Sequence, residues 1–354
     1  MKFIKCSTEV IEQAANELRQ YETGEIKPIK TRYDHLNENT YGGILPGTIT
    51  VIAGTSGTGK SFVAQELEED FLNPDLNPGA EEHILLRCNW EMIFRSLLVR
   101  SIRKQMPLTL KDIYYKEKSE AERQVIEQVI AREQSKNIYY FSQPVTPEEF
   151  EKDVRAFLEM HKSAKRIWVT IDHMGLVEGR DKFIAMNTLI AVLNKMKLTQ
   201  EFSNTSFIPL MQLNREIEGR TDVRFLSPRR GDFYGADSIF QTADLVMVLH
   251  RPERLSHEKY MQFHPSKYSH LKEFMDKPGA QRASFLTDNL IFFHYLKLRE
   301  EDETMNDVHI ERLSHKAKTE IEFQQSVKTD QERKVEDTIE KHFAMQGEEA
   351  PLPF

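Results

Sequence analysis

The sequence is poor in cysteine: Cys6 and Cys88 are the only two in 354 residues. Two thiols exclude a disulfide framework and point to a reducing compartment, with Cys88 a small buried hydrophobe inside the run HILLRCN. None of the 12 histidines pairs with cysteine at zinc spacing. Long apolar runs are missing as well, since none approaches the roughly 18 residues that a membrane helix needs. The opening MKFIKC is basic, but Ser7, Thr8 and Glu9 interrupt any apolar stretch of a secretion signal. A soluble, cytoplasmic protein with no membrane partner is expected. An excess of positive charge is also absent: 48 Lys and Arg against 56 Asp and Glu leave a net charge of −8. That balance excludes coating nucleic acid with the whole surface, yet leaves room for a local basic groove. What is present, 39% hydrophobic and 29% charged residues, suits a globular chain rather than a disordered or collagen-like one.

Residues 8–22 have helical periodicity, with Val10, Ile11, Ala14, Ala15, Leu18 and Tyr21 on one face. Such a short helix must dock, either on its own domain or on a neighbouring subunit. From Thr48 onward, apolar runs alternate with helical stretches: TITVIAG, HILLRCN, NIYYF, RIWVTID, SFIPLMQL, ADLVMVLH and LIFFHYLKL. Runs of this kind suit strands buried on both faces of a mainly parallel sheet flanked by helices. The stretches DVHIERL and KTEIEF alternate with period two and predict antiparallel strands at a sheet edge. Residues 253–289 are mixed in character and read as an insertion. Residues 324–354 read as a polar helix and an acidic tail.

Gly54-Thr55-Ser56-Gly57-Thr58-Gly59-Lys60-Ser61 matches G-x-x-x-x-G-K-[ST] in full. A buried strand precedes it and a helix follows. In this pattern the glycines let backbone N–H groups turn inward around phosphate oxygens, and the helix N-terminus adds positive potential. Lys60 is expected on the β- and γ-phosphates and Ser61 on Mg²⁺, so a nucleoside triphosphate, ATP, is the expected ligand. Asp172 ends the strand RIWVTID, where a carboxylate can organise the metal through water. Glu91 follows HILLRCNW and can accept a proton from an attacking water; a surface Glu capping the next helix is the plainer reading. Gln212 ends SFIPLMQL and can hydrogen-bond a γ-phosphate.

These pieces stand in a recognisable order. GGILPGTITVIAGTSGTGKS, NWEM at 89–92, IDHMGLVEG at 171–179, QLNREIEGR at 212–220 and DSIFQTADLVMVLHR at 237–251 resemble the ATPase domain of DnaB-like replicative helicases. Those proteins are ring-shaped hexamers on a RecA-type fold. The resemblance runs from about Ile29 to Phe323. Its most specific part is Leu213-Asn214-Arg215-Glu216 with Gly219-Arg220, then Asp232, Ser238-Ile239, Gln241 and Ala243-Asp244. It implies an α/β, RecA-like P-loop ATPase with a mainly parallel central sheet, flanking helices and antiparallel edge strands. It also implies Glu91 as the residue that activates water, Asp172 as the metal organiser and Gln212 as the γ-phosphate sensor. Lys297 and Arg299 match the family's K-x-R pair, which reaches the neighbouring subunit's nucleotide. The helix at 8–22 takes the position of a linker helix that docks on the adjacent subunit.

The chain also departs from the family pattern. The roughly 28 residues before the resemblance hold no counterpart of the helical N-terminal domain, so primase recruitment by that route is not expected. The family's DNA-contacting R-E-S-G stretch is Tyr234-Gly235-Ala236-Asp237 here; Gly235 amides, with Arg229 and Arg230 upstream, are the candidates for DNA phosphates. Glu300 to Glu303 replace a turn after the K-x-R pair. A basic run holds Arg95, Arg100, Arg103, Lys104 and Lys111, and Arg100, Arg103 and Lys104 share a helical face. The expectation is an ATP- and Mg²⁺-dependent homohexameric helicase that draws single-stranded DNA through its ring and opens forked duplex. The acidic tail reads either as a plain solvated tail or as a contact for a replisome partner, and the setting expected is a bacterial cell or a phage-infected one. A RecA-type recombination ATPase and a non-unwinding loader or regulatory ring are the alternatives.

Overall fold

The computed structural model describes residues 8–233, 236–299 and 307–312. Cys6, Tyr234, Gly235, Glu300 to Glu303, the expected strand at 318–323 and the tail at 324–354 lie outside the described residues. In chain order the helices are α1 (Thr8–Glu22), α2 (Asp34–Asn39), α3 (Lys60–Phe71), α4 (Phe94–Gln105), α5 (Leu110–Tyr115), α6 (Glu120–Ser135), α7 (Pro147–Met160), α8 (Lys182–Lys197) and α9 (Ala236–Thr242). The strands are β1 (Thr50–Gly54), β2 (His83–Asn89), β3 (Ile138–Phe141), β4 (Arg166–Asp172), β5 (Thr205–Gln212), β6 (Leu245–His250), β7 (Lys259–Phe263), β8 (Met275–Asp276), β9 (Ala283–Leu286), β10 (Leu290–Leu298) and β11 (Asp307–Arg312).

The chain forms two compact units. The larger takes residues up to Glu91 and Asn137–Leu313, and holds an eight-stranded sheet in the order β11-β10-β6-β1-β5-β4-β2-β3. From β6 to β3 every neighbouring pair is parallel, while β10 pairs antiparallel with both β6 and β11. This is the mainly parallel sheet with antiparallel strands at one edge that the sequence predicts, and DVHIER forms the outermost of them. The strand sequences explain why both faces are dry. Val51, Ala53, Val169 and Ile171 enter one core with α7 and α8 residues, while Ile52, Trp168 and Leu210 enter the opposite core with Val63, Leu67 and Phe71 of α3. Successive strand residues point to opposite faces, so unbroken apolar runs are what such a sheet requires. NIYYF is the exception: β3 is an edge strand with Tyr139 and Tyr140 exposed, so its apolar run does not mean burial on both faces.

Residues 253–289 fold into a small sheet of order β7-β9-β8. Its own core joins Tyr260, Phe263, Tyr268 and Phe285 to Phe292 of β10 and Ile310 of β11. The expected helix over 8–22 is α1, and Ile11 and Leu18 of its apolar set are exposed.

The smaller unit holds Met92–Lys136. Its helices α4, α5 and α6 pack around Ile102, Met106, Leu108 and Val129. Thr109 and Ser119 begin α5 and α6 with capping boxes, each hydroxyl accepting an N–H three residues on while the acidic side chain there accepts in return. Among the described residues no helix is long and apolar enough to cross a membrane.

Candidate functional site: a phosphate loop and carboxylates at one sheet edge

The fully buried β1 ends at Gly54, and the phosphate loop carries the chain into α3. Gly57 and Gly59 take φ of +73° and +104°, a region that only glycine enters without strain. Gly54 is fixed differently: a Cβ there would lie 2.6 Å from the Leu249 carbonyl oxygen and 2.6 Å from the Thr58 hydroxyl. The buried Thr58 donates to Thr55 O at 2.9 Å and closes the turn. Lys60 bends back over the loop, its Nζ donating to Gly54 O (3.0 Å) and Thr55 O (2.9 Å). The N-terminus of α3 therefore faces the loop with its N–H groups, an arrangement suited to phosphate.

Sheet register gathers the expected partners at this edge. Gln212 lies directly beside Gly54 on the neighbouring strand. Asp172 lies beside Asn89. β2 ends at Asn89, two residues before Glu91, but the Trp90 N–H donates to Asp172 O at 2.9 Å and keeps the chain on the same edge. Glu91 emerges there exposed. The charges sense one another. Burial pushes the Lys60 ammonium below its ordinary value, while Asp172 and Glu91 pull it back up. Burial raises the Asp172 carboxyl above the usual carboxylate range; a bond from the Ser61 hydroxyl opposes this and Glu91 adds to it. His173 is held below its ordinary value by burial, against the pull of Glu91 and Asp172.

Ser61 and Asp172 thus place two hard oxygen donors within bonding distance of each other. That donor set fits Mg²⁺, which keeps several waters and takes oxygens from substrate phosphates instead of needing an all-protein cage. Among the described residues, no group of three or more His, Cys, Asp or Glu converges as a metal cage.

Lys297 and Arg299 are not part of this cluster. Lys297 lies near the end of β10, opposite Val246 at the start of β6, and Arg299 directly follows the strand, at the other edge of the sheet. Arg299 N–H donates to Asp244 O (2.7 Å), and Asp244 N–H donates to Ile49 O (2.9 Å). Five residues of strand, about 16 Å, separate Ile49 from Gly54. The Arg299 guanidinium meets Asp244 at 2.7 Å and the Gln241 and Thr242 carbonyls at the C-terminus of α9 at 2.9 and 3.0 Å. Lys297 donates to Phe240 O of the same helix.

Arg229 and Arg230 are exposed beyond the end of β5, lying over the Phe225 and Phe240 rings. Several members of the motif series have structural work. Arg220 pairs with Asp232, and Asp244 binds Ile49 N–H (2.8 Å) and Lys197 (2.9 Å). Sequence reasoning missed Arg254, whose Nη1 donates to Gly57 O at 2.6 Å. It lies 197 residues from Gly57 in sequence, in the segment read as an insertion, and no local pattern could have marked it.

The DnaB-like helicase C-terminal domain model matches residues 28–277. The chain belongs to that family. Its fold is shared with a solved ATPase domain, at a TM-score of 0.61 and 16% identity over 87% of this chain and 94% of that one. A DnaB-like replicative helicase, solved with attention to its interactions with primase, aligns at a TM-score of 0.60 and 16% identity, with 87% of this chain and 64% of that one covered. No curated protein sequence matches the chain. As a DnaB-like helicase domain, the chain has the RecA-like ATPase fold.

Proposed function

We propose that this chain is an ATP-hydrolysing DNA helicase that works as a homohexameric ring, drawing one strand through the centre and opening duplex ahead of it. The observation that carries the reading is the division of the site between two sheet edges. The phosphate loop, Glu91, Asp172 and Gln212 gather at the carboxyl ends of the strands, and the K-x-R cations at the opposite edge. Along a rigid sheet those cations are too far away to serve their own nucleotide. That separation supports their serving the nucleotide of a second copy.

In each site Lys60 and the loop amides hold the triphosphate, and Ser61 and Asp172 would hold Mg²⁺, which neutralises charge on the phosphates. Gln212 hydrogen-bonds the γ-phosphate. Glu91, exposed and beside Asp172 and Lys60, accepts the proton of the attacking water. Lys297 and Arg299 of the adjacent copy stabilise charge developing on the γ-phosphoryl group, so hydrolysis waits for assembly. In the single chain these cations are held by α9 carbonyls and Asp244, which sets their direction before a neighbour arrives. The exposed Ile11 and Leu18 on α1 support docking of that helix on the adjacent copy. Arg229 and Arg230, exposed and without burial to overcome, are the proposed DNA-phosphate contacts, together with Gly235.

Strand displacement on a forked DNA substrate tests this reading, with Glu91→Gln and Lys60→Ala as controls and electron microscopy of the assembly alongside. Six-fold rings that displace a strand only with hydrolysable ATP are expected. Closed rings with DNA-stimulated hydrolysis but no displacement would instead indicate a loader or regulatory ring. Helical filaments would indicate a recombination ATPase.

A further inference from the structure

Arg254 touches the phosphate loop from outside it. It sits in the short turn Pro252–Leu255 that follows β6, and its guanidinium Nη1 donates to Gly57 O at 2.6 Å. The approach is so close that a Cβ at Gly57 would lie 2.0 Å from that nitrogen. The turn is anchored rather than loose. Pro252 is buried, Glu253 accepts the Asn289 N–H at 3.3 Å, and His257 N–H donates to Pro252 O at 3.1 Å. The carboxylate next to it in sequence, Glu253, also faces Arg251 at 3.6 Å. Among the described residues Arg254 makes no ion pair. It is an exposed, uncompensated cation bonded to the middle of a loop whose neighbouring N–H groups are shaped for phosphate.

We propose that Arg254 is a nucleotide-binding residue supplied in cis, a second cation of the phosphate site that braces Gly57 and places its charge against the outer phosphates of the bound triphosphate. A guanidinium has five donors in a fixed fork, so one N–H can keep the Gly57 bond while others reach phosphate oxygens. Lys60 bonds the Gly54 and Thr55 carbonyls of the loop, and Arg254 the Gly57 carbonyl. The proposal rests on the phosphate loop being the triphosphate site.

Titration of the full chain with fluorescent ATP and ADP analogues in Mg²⁺ tests it, using Arg254→Lys, Arg254→Gln and Arg254→Ala. Glutamine can still donate to Gly57 O but carries no charge. Arg254→Gln and Arg254→Ala are expected to weaken the triphosphate about tenfold, the scale of one charge-assisted contact, and the diphosphate less. Arg254→Lys should retain most of the affinity. Unchanged thermal midpoints without nucleotide would assign the loss to the ligand. If Arg254→Gln binds like the wild type, the charge has no role and the proposal falls; unchanged binding in all three variants overturns it equally. A wild-type chain that binds neither analogue would remove the nucleotide-site reading itself, which Lys60→Ala in the same titration separates from a failure of Arg254 alone.

Discussion

The two edges of the central sheet are built from opposite chemistry. At the carboxyl ends of the strands lie the phosphate loop and the N-terminus of α3, and a buried Asp172 carboxyl is pushed upward by desolvation. At the amino-end edge, the free carbonyls of α9 and the carboxylate of Asp244 gather cations: Lys197, Lys297 and Arg299. The contrast is partly a property of the fold. A parallel sheet flanked by helices collects helix N-termini at one edge and C-termini at the other, so one edge suits anions and the opposite edge suits cations. On the function proposed above, one chain carries two halves of two different sites. Each half has its geometry before a partner is present.

That contrast can be broken from either side. The largest effect is expected at the cationic edge, where Arg299→Ala should lower ring-dependent hydrolysis by about 10³-fold or more, the usual scale for a finger residue. Its binding of nucleotide, measured on the same chain, should change little, because Arg299 is remote from its own loop. At the anionic edge, Glu91→Gln should lower hydrolysis by about 10²- to 10⁴-fold while ATP binding persists. Single-turnover hydrolysis alongside equilibrium binding reads both. Asp244→Asn sharpens the comparison by removing charge from the cationic edge alone. It should cost roughly 1–3 kcal/mol by leaving Lys197 and Arg299 short of a partner, seen in chemical denaturation, with nucleotide affinity unchanged.

A smaller effect is expected from acid. His250, at the end of β6 near the phosphate loop, is buried against Tyr260, and neither ring nitrogen has a hydrogen-bond partner among the described residues. Burial takes its pKa down to about 3. Between the ordinary histidine value and that figure the unfolded chain binds a proton that the folded chain refuses, so stability falls as pH drops from about 6.5 towards 3. The contribution to the slope is at most about 1.4 kcal/mol per pH unit. Replacing His250 by Phe should flatten the dependence of the thermal midpoint on pH in that window.

The parts of the site that are legible in the sequence are those written locally. Eight consecutive residues make the phosphate loop, and Asp172 and Gln212 are readable because each ends an apolar run. Glu91 is readable from its own surroundings only as one of two alternatives; the Trp90 bond to Asp172 is what holds it at the same edge. What cannot be read depends on chain returns. Asp244 meets Ile49 across 195 residues and Arg254 meets Gly57 across 197, and neither contact leaves a periodic trace. Residues 253–289 look like an insertion because their sheet is short and shares its core with β10 and β11, so no long apolar run announces it. The separate compaction of 92–136 is equally silent, since the capping boxes of α5 and α6 are those of ordinary helices. NIYYF misleads in the other direction, its tyrosines being edge residues with apolar rings.

Subunit mixing tests the division of the site most directly. Lys60→Ala chains lack a working phosphate loop but keep the cations, while Arg299→Ala chains keep the loop and lack the finger. Hydrolysis should be negligible for either variant alone and partly restored in mixed rings, because an intact loop can then lie against an intact Arg299 from its neighbour. Mixed rings, verified by mass, that hydrolyse no faster than the separate variants would contradict a site shared between the two edges of adjacent sheets.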